Sequence, residues 1–209
     1  MKDARALVRA LAENTSLPGC VNPFAASDQD SALELGDAAA RRRRNLLAYL
    51  GAAGPGTILL VGEAMGYRGG RFTGISFTSE RVLARWGPPY SPSSTVAGGW
   101  AEASATIVHG VLAELGAGAA IRLWNTVPAH PPGDRGALSN RAPTRSEVAA
   151  SLPYLDAAIA VLAPSRIVAV GRTAERALGD RADAALRHPA QGGATAFRDG
   201  ARQLLAVLP

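Results

Sequence analysis

A chain of 209 residues, 47% hydrophobic and 19% charged, is long enough for one domain with a sizeable core and too apolar for a disordered segment. Its net charge of +5 is carried almost wholly by arginine, with Lys2 the only lysine. That charge favours an anionic partner, nucleic acid first, although arginine in place of lysine is also what a GC-rich genome encodes. The single cysteine, Cys20, excludes an internal disulfide and any four-cysteine metal or iron-sulfur site within one chain. Apolar runs no longer than TILLV and AAIAVLA exclude a membrane-spanning helix, and MKDARALVRALAEN has no signal-peptide core. The expectation is a soluble, cytoplasmic, monomeric protein forming one domain over residues 1–209.

In chain order, residues 2–13 read as a short helix and SLPGCVNPF as a loop. A longer helix is expected from about residue 27 to 50, with Ser27 or Asp28 as N-cap and Gly51 beyond its end. TILLV, residues 57–61, is β-rich and bounded by glycines, which predicts the first buried parallel strand. Residues 79–86 and 101–115 follow with helical periodicity, the second placing Ile107, Val108, Val111, Leu112 and Leu115 on one face. AIRLWN is a second strand, and residues 126–144 a long polar loop. Helical sequence resumes after Thr144, with an interruption expected near Pro153. RIVAVG then predicts a third strand, RTAERAL a short helix, AALRHP a fourth strand and TAFRDGARQLLAVL a terminal helix. This alternation predicts a three-layer α/β/α fold around a central four-stranded parallel sheet.

Ligands of such sheets bind beyond the carboxyl ends of the strands. The residues placed there are 62–74, Asn125 to Pro132, Gly171 with Arg172, and His188 to Gly193. The first of these loops, in VGEAMGYRGGRFTGISF, is glycine-rich but lacks the lysine and spacing of a P-loop and the G-x-G-x-x-G of a dinucleotide site. A carboxylate there, Glu63, would repel phosphate. It suits a water molecule or a developing sugar cation, as glycosidic cleavage requires, or it orders the loop by accepting backbone amides. Asn125 presents a donor and an acceptor that can read a nucleobase edge or a carboxylate-like ligand, or it is a strand-end turn residue. Pro189 holds His188 out of helical geometry, where a neutral imidazole can donate to a leaving-group oxygen or serve structure alone. Phe77 either stacks on a base or packs in the core. His109 and His130 read as structural or loop residues, and with no acidic or cysteine partner at ligand spacing no metal site is expected.

GEAMGYRGGRFTGISF, LWNTVPAHPP with SNRAPT, RIVAVG and HPAQGG resemble, in order and approximate spacing over residues 57–193, the motifs of the uracil-DNA glycosylase superfamily. The pattern is most similar to its family 4, the iron-sulfur branch. The resemblance implies a monofunctional hydrolase that removes uracil from DNA in base excision repair, extruding the base before cleavage and using no cofactor. By position, Glu63 orients water or stabilises the sugar cation, and His188 hydrogen-bonds a uracil carbonyl as negative charge grows there. Phe77 stacks on the uracil, Asn125 reads its pairing edge, and Gly62 and Ala64 adjoin it in the first motif. Departures are informative: with Cys20 alone no cluster can form, Met65 and Ser76 replace prolines, and residues 67–71 replace an acidic run. Tyr67 becomes the candidate for excluding the methyl group of thymine.

Arg68, Arg71 and Arg141 are expected on backbone phosphates, with Gln191 and Gly192 at the duplex where a bulky apolar wedge is missing. A polar tip there would favour single-stranded or mismatched substrate, where extrusion costs least. Arg41 to Arg44, spread around a helix, read as a solvated face. Two rival readings stay open: a uracil-DNA or abasic-site binding protein with little turnover, and an enzyme acting on a free nucleoside or nucleotide.

Overall fold

The computed structural model describes residues 3–26, 31–54 and 56–206. Helix α1, Ala4–Ala12, is capped by the Asp3 carboxylate, which accepts from the amides of Arg5 and Ala6. Helix α2 is Ala38–Gly51. Strand β1, Ile58–Ala64, pairs in parallel with β2, Ile121–Val127, and with β5, Arg166–Val170; β5 pairs in turn with β6, Ala184–Leu186. The sheet order is therefore β2-β1-β5-β6. Three helices lie between the first two strands: α3, Gly70–Thr73, α4, Glu80–Trp86, and α5, Ala103–Glu114. Helix α6, Arg145–Leu162, links β2 to β5; α7, Arg172–Leu178, links β5 to β6; and α8, Ala194–Ala206, follows the last strand.

The strands are apolar on both faces because each face meets a layer of helices. Alternate residues of β1 divide the core. Leu59 and Val61 pack with Leu7 and Leu11 of α1 and with Leu155 and Leu162 of α6. Ile58 and Leu60 pack with Val108 and Val111 of α5 and Phe197 of α8. This is the expected three-layer α/β/α architecture around a four-stranded parallel sheet.

Several local expectations change. Residues 27–30, including the two N-cap candidates, lie outside the described residues, and α2 begins only at Ala38. The segment before it makes only a single 3-10 turn, Ser31–Leu33, after which Glu34 turns inward to pair with Arg42 and to bridge Ser94. The expected interruption of α6 does not occur: Pro153 sits inside a continuous helix. Pro153 and Ala149, whose carbonyl the proline leaves without its helical donor, are both exposed, so water can take that carbonyl. The polar loop after β2 contains a two-stranded hairpin, β3 Pro132–Gly133 and β4 Gly136–Asn140. Strand β6 stops at Leu186, which leaves His188 in a loop and not at a strand end.

The SNRAPT stretch builds the junction between that hairpin and α6. The Asn140 side chain accepts the Tyr67 amide at 3.0 Å. Arg141 forks onto Glu147 at 2.7 and 2.6 Å. Thr144 and Glu147 form a reciprocal capping box at the start of α6. Arg141 and the cap amide of Thr144 hold the Glu147 carboxyl down at about 2.

Candidate active site

At the carboxyl ends of the strands lies a cleft of about 560 Å³ whose walls include Glu63, Phe77, Glu102, Thr173, His188 and Gln191. Strand register sets what lies behind Phe77, one of its walls. Gly62 of β1 stands opposite Asn125 of β2, and a Cβ at Gly62 would collide with the Phe77 ring and come within 2.6 Å of Asn125 Oδ1. Glycine is the residue that lets the ring and the carboxamide meet there. Asn125 is 2% exposed, yet among the described residues its carboxamide makes no hydrogen bond. A carboxamide without a protein partner close to a cleft is free to take up a ligand's donor and acceptor.

Phe77 holds its ring in place with φ of +51°, left-handed backbone that a bulky side chain rarely adopts. Such conformations persist where the surrounding structure over-determines them, and they cluster at functional sites. Here Thr73 does so: its hydroxyl accepts the Ile75 amide at 3.1 Å and shares its one hydrogen between the carbonyls of Ile75 and Thr78, at 3.0 and 3.1 Å, on either side of Phe77 in the chain. The His188 imidazole lies against the ring, centroids 5.6 Å apart.

Three glycines account for where His188 sits. A Cβ at Gly171, which has φ of +90°, would stand 3.1 Å from His188 Cβ. A Cβ at Gly193 would collide with the His188 carbonyl. Gly192 at φ +76° and Gln191 at φ +53° complete the turn, with Gln191 at its exposed tip. His188 Nδ1 accepts the Ala190 amide at 3.1 Å, so the neutral ring carries its proton on Nε2. Burial pushes the pKa of His188 below its ordinary value; Glu63 pulls it back up and Arg187 adds to the fall.

Glu63 is the penultimate residue of β1, held on the strand and not free in the glycine loop. Thr173, in the first turn of α7, donates its hydroxyl to Glu63 Oε2. Ala64 also lines the cleft. Tyr67, by contrast, is not on its walls; its ring meets Trp100 edge-on with centroids 6.4 Å apart. Exposed Arg68 covers both rings, 5.1 Å from the Tyr67 centroid and 5.6 Å from that of Trp100.

One of the expected phosphate contacts is corrected. Arg71 is 0% exposed, donates to the Ala137 carbonyl at 2.8 Å and lies 4.0 Å from Glu34, so it serves the core. Arg141 lines the cleft as expected, paired there with Glu147 and with the Gly19 carbonyl. The exposed cations on the rim are instead Arg172 and Arg176 of α7 and Arg187, with no ion-pair partner among the described residues. The sequence signal for the first two is their four-residue spacing at the start of a helix that follows a strand. Thr173 and Glu102 carried no motif, and their roles emerge only from the fold. The lone thiol, Cys20, packs against Glu147 and Arg141, and the residues present do not fit an iron-sulfur cluster.

A strand-end cleft lined by a carboxylate, an aromatic face and a neutral imidazole, with an unbonded carboxamide behind the aromatic ring, is suited to grip and detach a heteroaromatic base. The model of the uracil DNA glycosylase superfamily matches residues 50–208, so the chain belongs to that superfamily of DNA glycosylases. Among solved structures, wild-type SMUG2 from Pedobacter heparinus matches with a TM-score of 0.65 and 15% identity, covering 99% of this chain and 98% of that one, a likeness of fold. Comparison with curated proteins finds no match. No helix among the described residues is long and apolar enough to cross a membrane.

Proposed function

We propose that this protein hydrolyses the N-glycosidic bond of uracil in DNA, taking the extruded base into the cleft and leaving an abasic site for base excision repair. The observation that carries this reading is Asn125: a carboxamide 2% exposed, unbonded, and fixed by strand pairing beside Gly62. A carboxamide offers one donor and one acceptor side by side, the complement of the N3–H and O4 of uracil. Cytosine presents the reverse pair at those positions, so telling the two bases apart requires the carboxamide to keep one orientation. Phe77 supplies a face for stacking, worth about 1 to 3 kcal/mol per base. His188 Nε2–H is the donor for a carbonyl oxygen of the base, and Glu63 faces the sugar as it becomes cationic.

The test is a duplex with a single uracil, incubated with excess protein and then treated with alkali. Strand cleavage at the uracil, absent when thymine replaces it, is the expected result. Intact strands under these single-turnover conditions refute the reading; with DNA in excess instead, one cleavage per protein molecule followed by a halt indicates slow product release.

The rim arginines give a second expectation. Each Arg→Ala change at Arg172, Arg176 or Arg187 lowers the slope of log binding constant against log salt by about 0.9 per lost phosphate contact, leaving base choice unchanged. An unchanged slope removes that arginine from the interface. Arg71→Ala acts differently, lowering thermal stability because its guanidinium is buried.

A further inference from the structure

Glu102 occupies the N-cap position of α5, where a shorter Asp, Asn or Ser side chain would fold back onto the amides of its own helix. It makes no such cap. Its carboxylate reaches across instead to the turn that follows β1, and a Cβ on either Gly66 or Gly69 would collide with it. The placement is built from behind. Glu80, 2% exposed, accepts from the amides of Ser93 at 2.7 Å, Ser94 at 2.8 Å and Trp100 at 3.1 Å. Trp100 stacks on Phe72 with centroids 5.6 Å apart. These contacts fix the chain two residues ahead of Glu102. No cation pairs with the Glu102 carboxylate among the described residues, and it lines the same cleft as Glu63, Phe77 and His188.

We propose that Glu102 sets the base range of the cleft, its carboxyl group forming the wall that sizes and reads the extruded base where Gly66 and Gly69 leave the main chain bare. The proposal rests on the base-excision reading and assigns it the specificity group that Tyr67, being off the cleft wall, does not supply. Behind the carboxyl stand two glycine main-chain segments that leave no space for it to retreat. A base carrying an extra methyl group against this wall has to displace a polar group from its nest and desolvate it without return, while uracil leaves it in place. Burial pushes the Glu102 carboxyl up to about 7, with the Ser104 hydroxyl acting in the opposite direction. Much of the wall is therefore uncharged near neutrality, which suits a cleft where negative charge grows on the departing base.

Wild type, Glu102→Ala and Glu102→Gln are compared in single-turnover excision from duplexes carrying uracil or thymine opposite guanine. With protein in excess and incubation long enough to give a rate, or an upper bound on one, for wild type on thymine, removing a wall that discriminates one methyl group raises thymine excision relative to uracil by about 10-fold or more above that rate or bound in Glu102→Ala, the range a single methyl commands in a filled pocket. Glu102→Gln, which keeps the shape and a polar end, holds the ratio to within about 3-fold of wild type. A merely structural role would slow both substrates together and leave the ratio unmoved; that outcome, or a Glu102→Ala protein that still excises uracil and leaves thymine untouched, overturns the proposal. Wild-type protein inactive on uracil refutes the base-excision reading itself, so the two failures are told apart by the wild-type arm.

Discussion

Glu63→Gln lowers single-turnover uracil excision by about 100- to 1,000-fold while binding of uracil-containing DNA is largely kept. The magnitude is that of removing one preorganised electrostatic group from a site where charge develops. Glutamine keeps the size and the hydrogen bond to the Thr173 hydroxyl, so what disappears is the negative charge. That charge matters because the sugar becomes cationic as the base departs with its electron pair, and a carboxylate held in a partly dry cleft interacts with it far more strongly than in water. Glu63→Ala, which loses shape as well, falls by a similar amount if charge is the cause and by much more if the residue's main work is packing. Thr173→Val keeps the charge but frees the carboxylate to rotate, and a smaller loss of about 10-fold in the excision rate, with binding unchanged, identifies Thr173 as a positioning residue. Full activity in Glu63→Gln would remove Glu63 from the chemistry.

Why the sequence disclosed some of this and concealed the rest follows from how each feature is encoded. The four parallel strands were legible because burial on both faces demands continuous apolar runs, as in TILLV and RIVAVG, and the helices between them because one-sided burial demands three- and four-residue spacing. Elements whose shape depends on distant partners were not. The start of α2 depends on Glu34 turning in to meet Arg42, and the hairpin after β2 on His130, which lies against the carbonyls of Met65 and Ala137 at 3.0 Å each. Pro153 shows the opposite error. A proline forbids a hydrogen bond but not a helix, when the bereaved carbonyl faces water.

The site divides in the same way. Glu63 and Asn125 lie at the ends of strands and His188 just beyond one, where topology alone says a ligand edge lies, and the resemblance chose between the two roles open to Phe77. Glu102 follows no strand and belongs to no motif. The trace it left was Gly66 and Gly69, three residues apart, which mark a backbone that something approaches closely without saying what. Arg71 was misassigned because sequence cannot show inside from outside on a turn. Arg68 and Arg71 are three residues apart, yet the first is exposed on two aromatic rings and the second is fully buried.

His188→Gln should likewise slow excision by about 100- to 1,000-fold, and it should also reshape the pH profile. The imidazole works as a donor through Nε2–H only while Nδ1 is unprotonated and accepts the Ala190 amide. Protonation places a second hydrogen on Nδ1, facing that amide, so it breaks the contact that positions the ring and unsettles the tight turn through Gln191 and Gly192. Burial and Arg187 depress the pKa from its ordinary 6.5, with Glu63 opposing, and the working neutral form therefore persists to lower pH than in a free histidine. The sign for stability agrees: a depressed folded-state value means the unfolded chain binds the proton more readily, so the contribution of neutral His188 is present above 6.5 and is lost as pH falls through the folded value. Both activity and melting temperature are expected to fall together on the acid side. In His188→Gln the residual activity loses the part of the acid limb that belongs to the imidazole, because glutamine does not titrate. An acid limb of unchanged position and steepness in that variant would show that the pH dependence arises elsewhere and that His188 does not act through its neutral form.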